Sequence, residues 1–298
     1  MGKLRWFTAW MLTALTTFGT LAYAQKQTIA FVTVVAPASG PVADLKPKDF
    51  VVQGGKAEVK DVVRADEPLA IILVVDVSRP PMGMNPPTEE MRTGLQTFVK
   101  TIRAGEPSAR IGLIQVGGAA VPAVDLGAPP AAVDKAVASI ASGPDMAGAV
   151  MVEGIQDASR KLASEPAPRR AIVSIDFASN DSFPDNRVEG VVKEIMKTGV
   201  SVWSVSARMP MENTATNGSS TVKYSSRENA INSIIKTNGG MQINIVAATG
   251  LKDQLQMVAN TLLSQYELTI AGVDAAHIHD LKITTSSGAK VIPSVFAR

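Results

Sequence analysis

Ala70-Ile71-Ile72-Leu73-Val74-Val75-Asp76-Val77-Ser78-Arg79-Pro80 is an apolar run that ends in an aspartate and, two residues on, a serine. Bounded by Pro68 and Pro80, it reads as a strand buried on both faces of a parallel sheet. Asp76 and Ser78 are then expected just past its carboxyl end, where open α/β sheets place their ligands. Oxygen side chains alternating along such a loop are what a hard divalent cation needs.

Downstream, strand and helix patterns alternate. Met91, Leu95, Phe98, Val99 and Ile102 recur at helical spacing and predict a helix near Thr88–Arg103. A strand over Ile111–Val116 and an edge strand near Val121–Asp125 follow, then helices near Pro130–Ser139 and Met146–Ala163. Ala171–Ile175 reads as a strand, and Val188, Val191, Val192, Ile195 and Met196 as a helix face. Strand Val200–Ser206 leads into a long polar stretch, Arg208 to Arg227. A helix around Ile231, Ile234 and Ile235 ends at Asn238-Gly239-Gly240, a C-cap signal. Strand Met241–Val246 and a helix carrying Leu251, Leu255, Val258, Ala259 and Leu262 close the series. Strands separated by helices predict a doubly wound, mostly parallel α/β fold.

Both ends of the chain are patterned as β. Ile29, Phe31, Val34 and Val35 form one strand region, and Gly40-Pro41 marks a turn. Asp49-Phe50-Val51-Val52 runs into Gln53-Gly54-Gly55-Lys56, which predicts a hairpin with Val59, Val62 and Val63. At the far end, Tyr266–Ile270, Leu281–Thr285 and Val291–Phe296 read as strands. The expected organisation is a signal peptide at 1–24, an N-terminal β module at 25–67, the α/β domain at 68–265 and a C-terminal β tail at 266–298. The two β segments are expected to form one small module, since neither has strands enough to stand alone.

The first residues carry an export pattern. Lys3 and Arg5 precede the apolar stretch Phe7–Leu21, and Ala22-Tyr23-Ala24 fits a cleavage site before Gln25. The stretch is short for a spanning helix, and no other long apolar run follows, so no membrane span is expected after cleavage. The chain has 29 basic and 27 acidic residues. Losing Lys3 and Arg5 leaves 27 of each, so the charge balance gives no reason to expect nucleic acid as a partner. The absence of cysteine excludes disulfides and thiolate chemistry and suits an oxidising compartment. The expected location is periplasmic or secreted.

The order of elements, with Asp76-x-Ser78 after the first α/β strand, resembles the von Willebrand factor type A (VWA) domain. Val42 to Phe50 is similar to the lead-in of exported bacterial VWA-related proteins. Thr237-Asn238-Gly239-Gly240 and Ser264-Gln265-Tyr266-Glu267-Leu268 are similar to the ends of such chains. The resemblance implies a metal-ion-dependent adhesion site of three parts. In the first, Asp-x-Ser-x-Ser, Asp76 and Ser78 match and Pro80 stands at the second serine. In the second, a threonine on a turn, the matching residues are Ser142-Gly143-Pro144-Asp145, with Pro144 at the threonine. The third, an aspartate after a later strand, is Asp176. Proline offers no side-chain oxygen, so the set is short of what Mg²⁺ requires. The site is therefore expected to be degenerate, with metal binding weak or lost, although waters or Asp145 could fill gaps. No cofactor is expected beyond such a divalent cation. Alternatively, Arg79 or Arg187 could neutralise the carboxylates as a guanidinium bridge.

Other constellations are sparse. His277 and His279 share one strand face and make at most half a metal site. Gly117-Gly118 lacks the lysine of a phosphate loop, and Trp203 reads as core. The loops expected at the carboxyl edge hold Arg79, Met82, Met84, Asp145 and Phe183, which offer adaptable apolar and polar contacts. They either bind a partner or fold back over the sheet edge. The function expected is an exported, non-enzymatic, protein-binding or adhesion-type VWA domain. The alternatives are a metal-assisted hydrolase built on Asp76 and Asp176, or a structural part of an envelope assembly.

Overall fold

The computed structural model describes residues 27–36, 40–53, 56–79, 87–143, 149–177, 185–207, 218–273 and 281–296. The expected signal at 1–24, Gly54, Gly55, Pro80, Met82, Met84, Pro144, Asp145, Phe183, His277 and His279 lie outside them.

The quoted stretch is strand β5 (Leu69–Asp76), buried at all eight positions. The elements before it are β1 (Gln27–Ala36), β2 (Gly40–Pro41), β3 (Phe50–Gln53) and β4 (Glu58–Arg64). After it come α1 (Thr88–Gly105), β6 (Arg110–Val116), β7 (Ala120–Val124), α2 (Pro130–Ala138), α3 (Met151–Ala163), β8 (Arg169–Asp176), α4 (Asp185–Met196) and β9 (Ser201–Ala207). The remainder is α5 (Gly218–Asn238), β10 (Gly240–Ile245), α6 (Leu251–Leu263), β11 (Tyr266–Ala271), β12 (Lys282–Thr285) and β13 (Lys290–Phe296).

The α/β part is a six-stranded sheet in the order β10-β9-β8-β5-β6-β7. All its pairings are parallel except β7 on β6. The strand alternation of β5 divides the core. Leu69, Ile71, Leu73 and Val75 pack with Leu95, Phe98, Leu255 and Val258 on the α1/α6 face. Ala70, Ile72 and Val74 pack with Ile155, Ile195 and Ile231 on the α3/α4/α5 face. Burial of both faces is why this strand is continuously apolar rather than alternating. Truncating Leu73 to Ala would cost about 2–5 kcal/mol, transfer and cavity terms together. From β5 the chain runs to β6 on one side and later returns through β8 on the other. That switch point, between β5 and β8, is where such sheets open a crevice.

A second sheet is antiparallel, in the order β13-β1-β11-β4, with β2 folding back on β1. Strands from the two ends of the chain alternate along β13-β1-β11-β4.

Several expectations are corrected. Phe50–Gln53 and Glu58–Arg64 do not form a hairpin ladder: β3 pairs with β12 and β4 with β11. The C-terminal strands compete successfully for those edges because they bring Leu268, Ile270 and Ile283 into the same apolar cluster. Gly40-Pro41 is not only a turn, since both residues pair with β1. The helix expected from Met146 begins at Met151. The polar stretch ending at Arg227 is not all loop, because α5 starts at Gly218. Its C-terminus is the expected cap. Gly239 and Gly240 both have positive φ, and a Cβ on Gly240 would lie 1.9 Å from the Val202 carbonyl oxygen, so only glycine fits there.

Candidate functional site at the carboxyl edge

Asp76 is the last residue of β5, not the first residue beyond it. Asp176 likewise ends β8, and Val75 pairs with Ile175 just before them, so the two aspartates end neighbouring parallel strands. The row continues on each side: Asp76 pairs with Val116 and Asp176 with Ser206. Strand alternation puts Asp76 on the face of Ile72 and Val74, and Asp176 on that of Ile172, which is the side covered by α3, α4 and α5.

Each carboxylate is buried and held by donors. Asp76 Oδ1 accepts from the Ser78 N–H at 2.8 Å and from the Ser78 hydroxyl at 2.5 Å. Its Oδ2 accepts from the Phe177 N–H at 3.4 Å. This closes the Asp-x-Ser loop into a local turn. The Val77 N–H donates to the Val116 carbonyl, and the Gly143 N–H donates to the Val77 carbonyl at 2.7 Å. The Ser142-Gly143 turn is thereby brought beside Asp76, as its place in the expected site requires. Asp176 Oδ1 accepts from the Ser206 hydroxyl at 2.8 Å.

One positive charge at this row comes from a residue outside the expected set. Arg227 Nη2 lies 3.5 Å from Asp176 Oδ1, and each side chain is only 3% exposed. Of the two arginines proposed for that role, Arg79 is exposed, and Arg187 lies 3.7 Å from Glu153. Arg227 belongs to the buried stripe of α5. Ala230, Ile231 and Ile234 follow it at helical spacing and are buried against the sheet. Extending that stripe back by one turn is the signal that points to Arg227. Arg227-Glu228-Asn229 reads as polar, which hides the start of that stripe in the sequence.

Glu153, in the first turn of α3, adds a further acid on this side. The next residue, Gly154, packs so closely on Val74 and Val116 that a Cβ there would lie 2.7 Å from a Val116 methyl. Burial pushes the Glu153 carboxyl up, Arg187 opposes this, and Asp157 adds to it.

The donor set fits a hard cation poorly. Among the described residues no group of three or more His, Cys, Asp or Glu could hold a metal ion. The oxygens of Asp76 already accept from Ser78 and Phe177, and a guanidinium already faces Asp176. Trp203 is core, as expected, with its ring N–H donated to the Ser201 hydroxyl.

Comparison with known proteins gives the fold a family. A search of the curated proteins found no significant match. Among solved structures, a von Willebrand factor type A protein from Catenulispora acidiphila is 10% identical, with 86% of this chain and 75% of that chain covered and a TM-score of 0.52. The PilB minor pilin from Streptococcus sanguinis is 9% identical, with 68% and 63% covered and a TM-score of 0.50. At such identities the likeness speaks for the fold alone. The sequence profile of the von Willebrand factor type A domain matches residues 70–234, more than half of the chain and the whole stretch from β5 into α5. The chain belongs to the von Willebrand factor type A domain family.

Proposed function

We propose that this is an exported, non-enzymatic VWA domain that binds a protein partner at the carboxyl edge of its parallel sheet. The observation that carries the reading is the closed state of the acid row. Asp76 and Asp176 lie at the switch point where this fold places ligands, yet both are engaged by Ser78, Phe177, Ser206 and Arg227. A carboxylate held this way is a poor general base, so the edge suits docking better than hydrolysis. Export rests on the N-terminal Lys3-to-Ala24 pattern. A minor pilin among the fold relatives fits an adhesion-type role. Among the described residues no helix is long and apolar enough to cross a membrane.

In this reading the segments 25–67 and 266–298 form one β module beside the α/β domain of 68–265. The shared β13-β1-β11-β4 sheet supports that division. The second reading is a structural part of an envelope assembly that docks through this module.

The test is affinity capture from the native envelope, identification of what binds, and a binding isotherm for each variant. Met82→Ser, Met84→Ser and Phe183→Ser combined should weaken binding by about 2 kcal/mol, roughly thirtyfold. Lys197→Ser, in the turn after α4, should leave it unchanged. Unchanged affinity in the triple variant, with a normal thermal transition, would move the contact away from this edge.

A further inference from the structure

We propose that Arg227 is a built-in cation for the acid row, so that the carboxyl edge is completed by a helix-borne guanidinium in place of a divalent metal. Two carboxylates ending adjacent parallel strands repel unless a positive charge stands with them. The family resemblance supplies a metal for that purpose. In this chain, Pro80 and Pro144 occupy two of the positions whose side-chain oxygens would bind it. The loss of those donors and the presence of Arg227 are complementary: the first weakens a metal, and the second removes the need for one. A guanidinium 3.5 Å from Asp176 Oδ1 and screened from water would also repel an incoming divalent ion strongly. Arg227 reaches the row because it shares the α5 stripe with Ala230, Ile231 and Ile234. Seating α5 on the sheet and placing a cation against Asp176 are therefore a single event.

The experiment is thermal unfolding of the full chain, with and without millimolar Mg²⁺, Mn²⁺ or Ca²⁺, for wild type, Asp76→Ala, Arg227→Met and the double variant Arg227→Met/Asp176→Asn. A ligand bound only to the native state raises the transition in proportion to RT ln(1 + [L]/Kd), so a resident metal would be visible. The expected result is no metal response in wild type and a loss of about 5–10 °C in Arg227→Met. Asp176→Asn should recover much of that loss, because it removes the stranded charge. Should Arg227→Met fail to fold, a folded double variant gives the same answer. A rise of several degrees in wild type with metal, abolished by Asp76→Ala, would overturn the proposal. So would a double variant no more stable than Arg227→Met, since Arg227 would then act by packing and not by charge.

Discussion

Strand β8 begins with Arg169 and ends with Asp176, and each is half of a buried ion pair. The pairs solve different problems. At the amino end, Arg169 donates to Glu106 Oε2 at 2.9 Å, Gln265 Oε1 at 2.8 Å, the Leu262 carbonyl at 2.8 Å and the Glu67 carbonyl at 3.0 Å. Those acceptors come from the lead into β5, the C-cap of α1, the end of α6 and the residue before β11. Glu106 also accepts from the Leu69 N–H at 2.9 Å. One guanidinium thus ties together segments distant in sequence where the two sheets meet. Burial pulls the Arg169 pKa down, and Glu106 opposes this. At the carboxyl end, Arg227 meets Asp176 at 3.5 Å, in a row set by the strand ends themselves. The amino end is a seam that fixes the chain's layout. The carboxyl end is a charge balance between strand-end carboxylates and a guanidinium carried by α5.

The largest effect expected from this contrast follows loss of the C-terminal strands. Deleting Thr269–Arg298 removes β12, β13 and the second half of β11, so β1 and β3 each lose a whole partner strand and β4 loses half of one. Amide protection over Thr28–Arg64 should then fall on the order of ten-thousandfold or more by native-state hydrogen exchange. Unchanged protection would show that the N-terminal strands do not need the seam. Next comes Arg169→Met, which leaves the mostly buried Glu106 carboxylate without its cation. It should cost about 3–5 kcal/mol in urea unfolding. Arg227→Met, at a longer pair, should cost about 2–3 kcal/mol. If the order of these two losses reversed, the contrast between seam and charge balance would be wrong.

The sequence made one end more legible than the other, for physical reasons. The strand-helix alternation is written in apolar spacing, so β5, β8, β9 and their helices could be placed from residues alone. Asp76, Ser78 and Asp176 were legible because they end apolar runs, and the structure brings them together. Arg227 was not, because a polar stretch hides the start of a helix whose stripe becomes apolar only at Ala230. Arg169 was hidden for the opposite reason: its partners Glu106, Gln265 and Glu67 are remote in sequence, and no local pattern joins them. Ser264-Gln265-Tyr266 could be recognised as a family-like ending, but that Gln265 holds Arg169 required coordinates. The hairpin expected across Gln53–Lys56 failed similarly, since local turn chemistry was outweighed by strands more than 200 residues away.

The smallest predicted effect sharpens the contrast through pH. Glu267, on β11, faces Glu67, whose own carbonyl is held by Arg169. A hydrogen bond with the Glu67 carboxyl, then burial, then the negative charges of Glu67, Asp66 and Asp61 push the Glu267 carboxyl up from 4.5 to about 7. Glu67 Oε2 is buried without a donor among the described residues, and a proton held by Glu267 supplies one. The folded state therefore binds a proton that the unfolded chain has released between pH 4.5 and about 7. Stability from this contact is fully present below 4.5 and is lost as pH rises through about 7. Because Glu267 is partly exposed, solvent screening keeps the effect to about 1 kcal/mol or less. Glu267→Gln keeps a donor and removes the titration. Its fall in melting temperature from pH 5 to pH 8 should be smaller than that of wild type, while Asp176→Asn, at the other end of the sheet, should leave that Glu267-dependent difference in place. An identical pH dependence in wild type and Glu267→Gln would show that the two carboxyls do not share a proton at the seam.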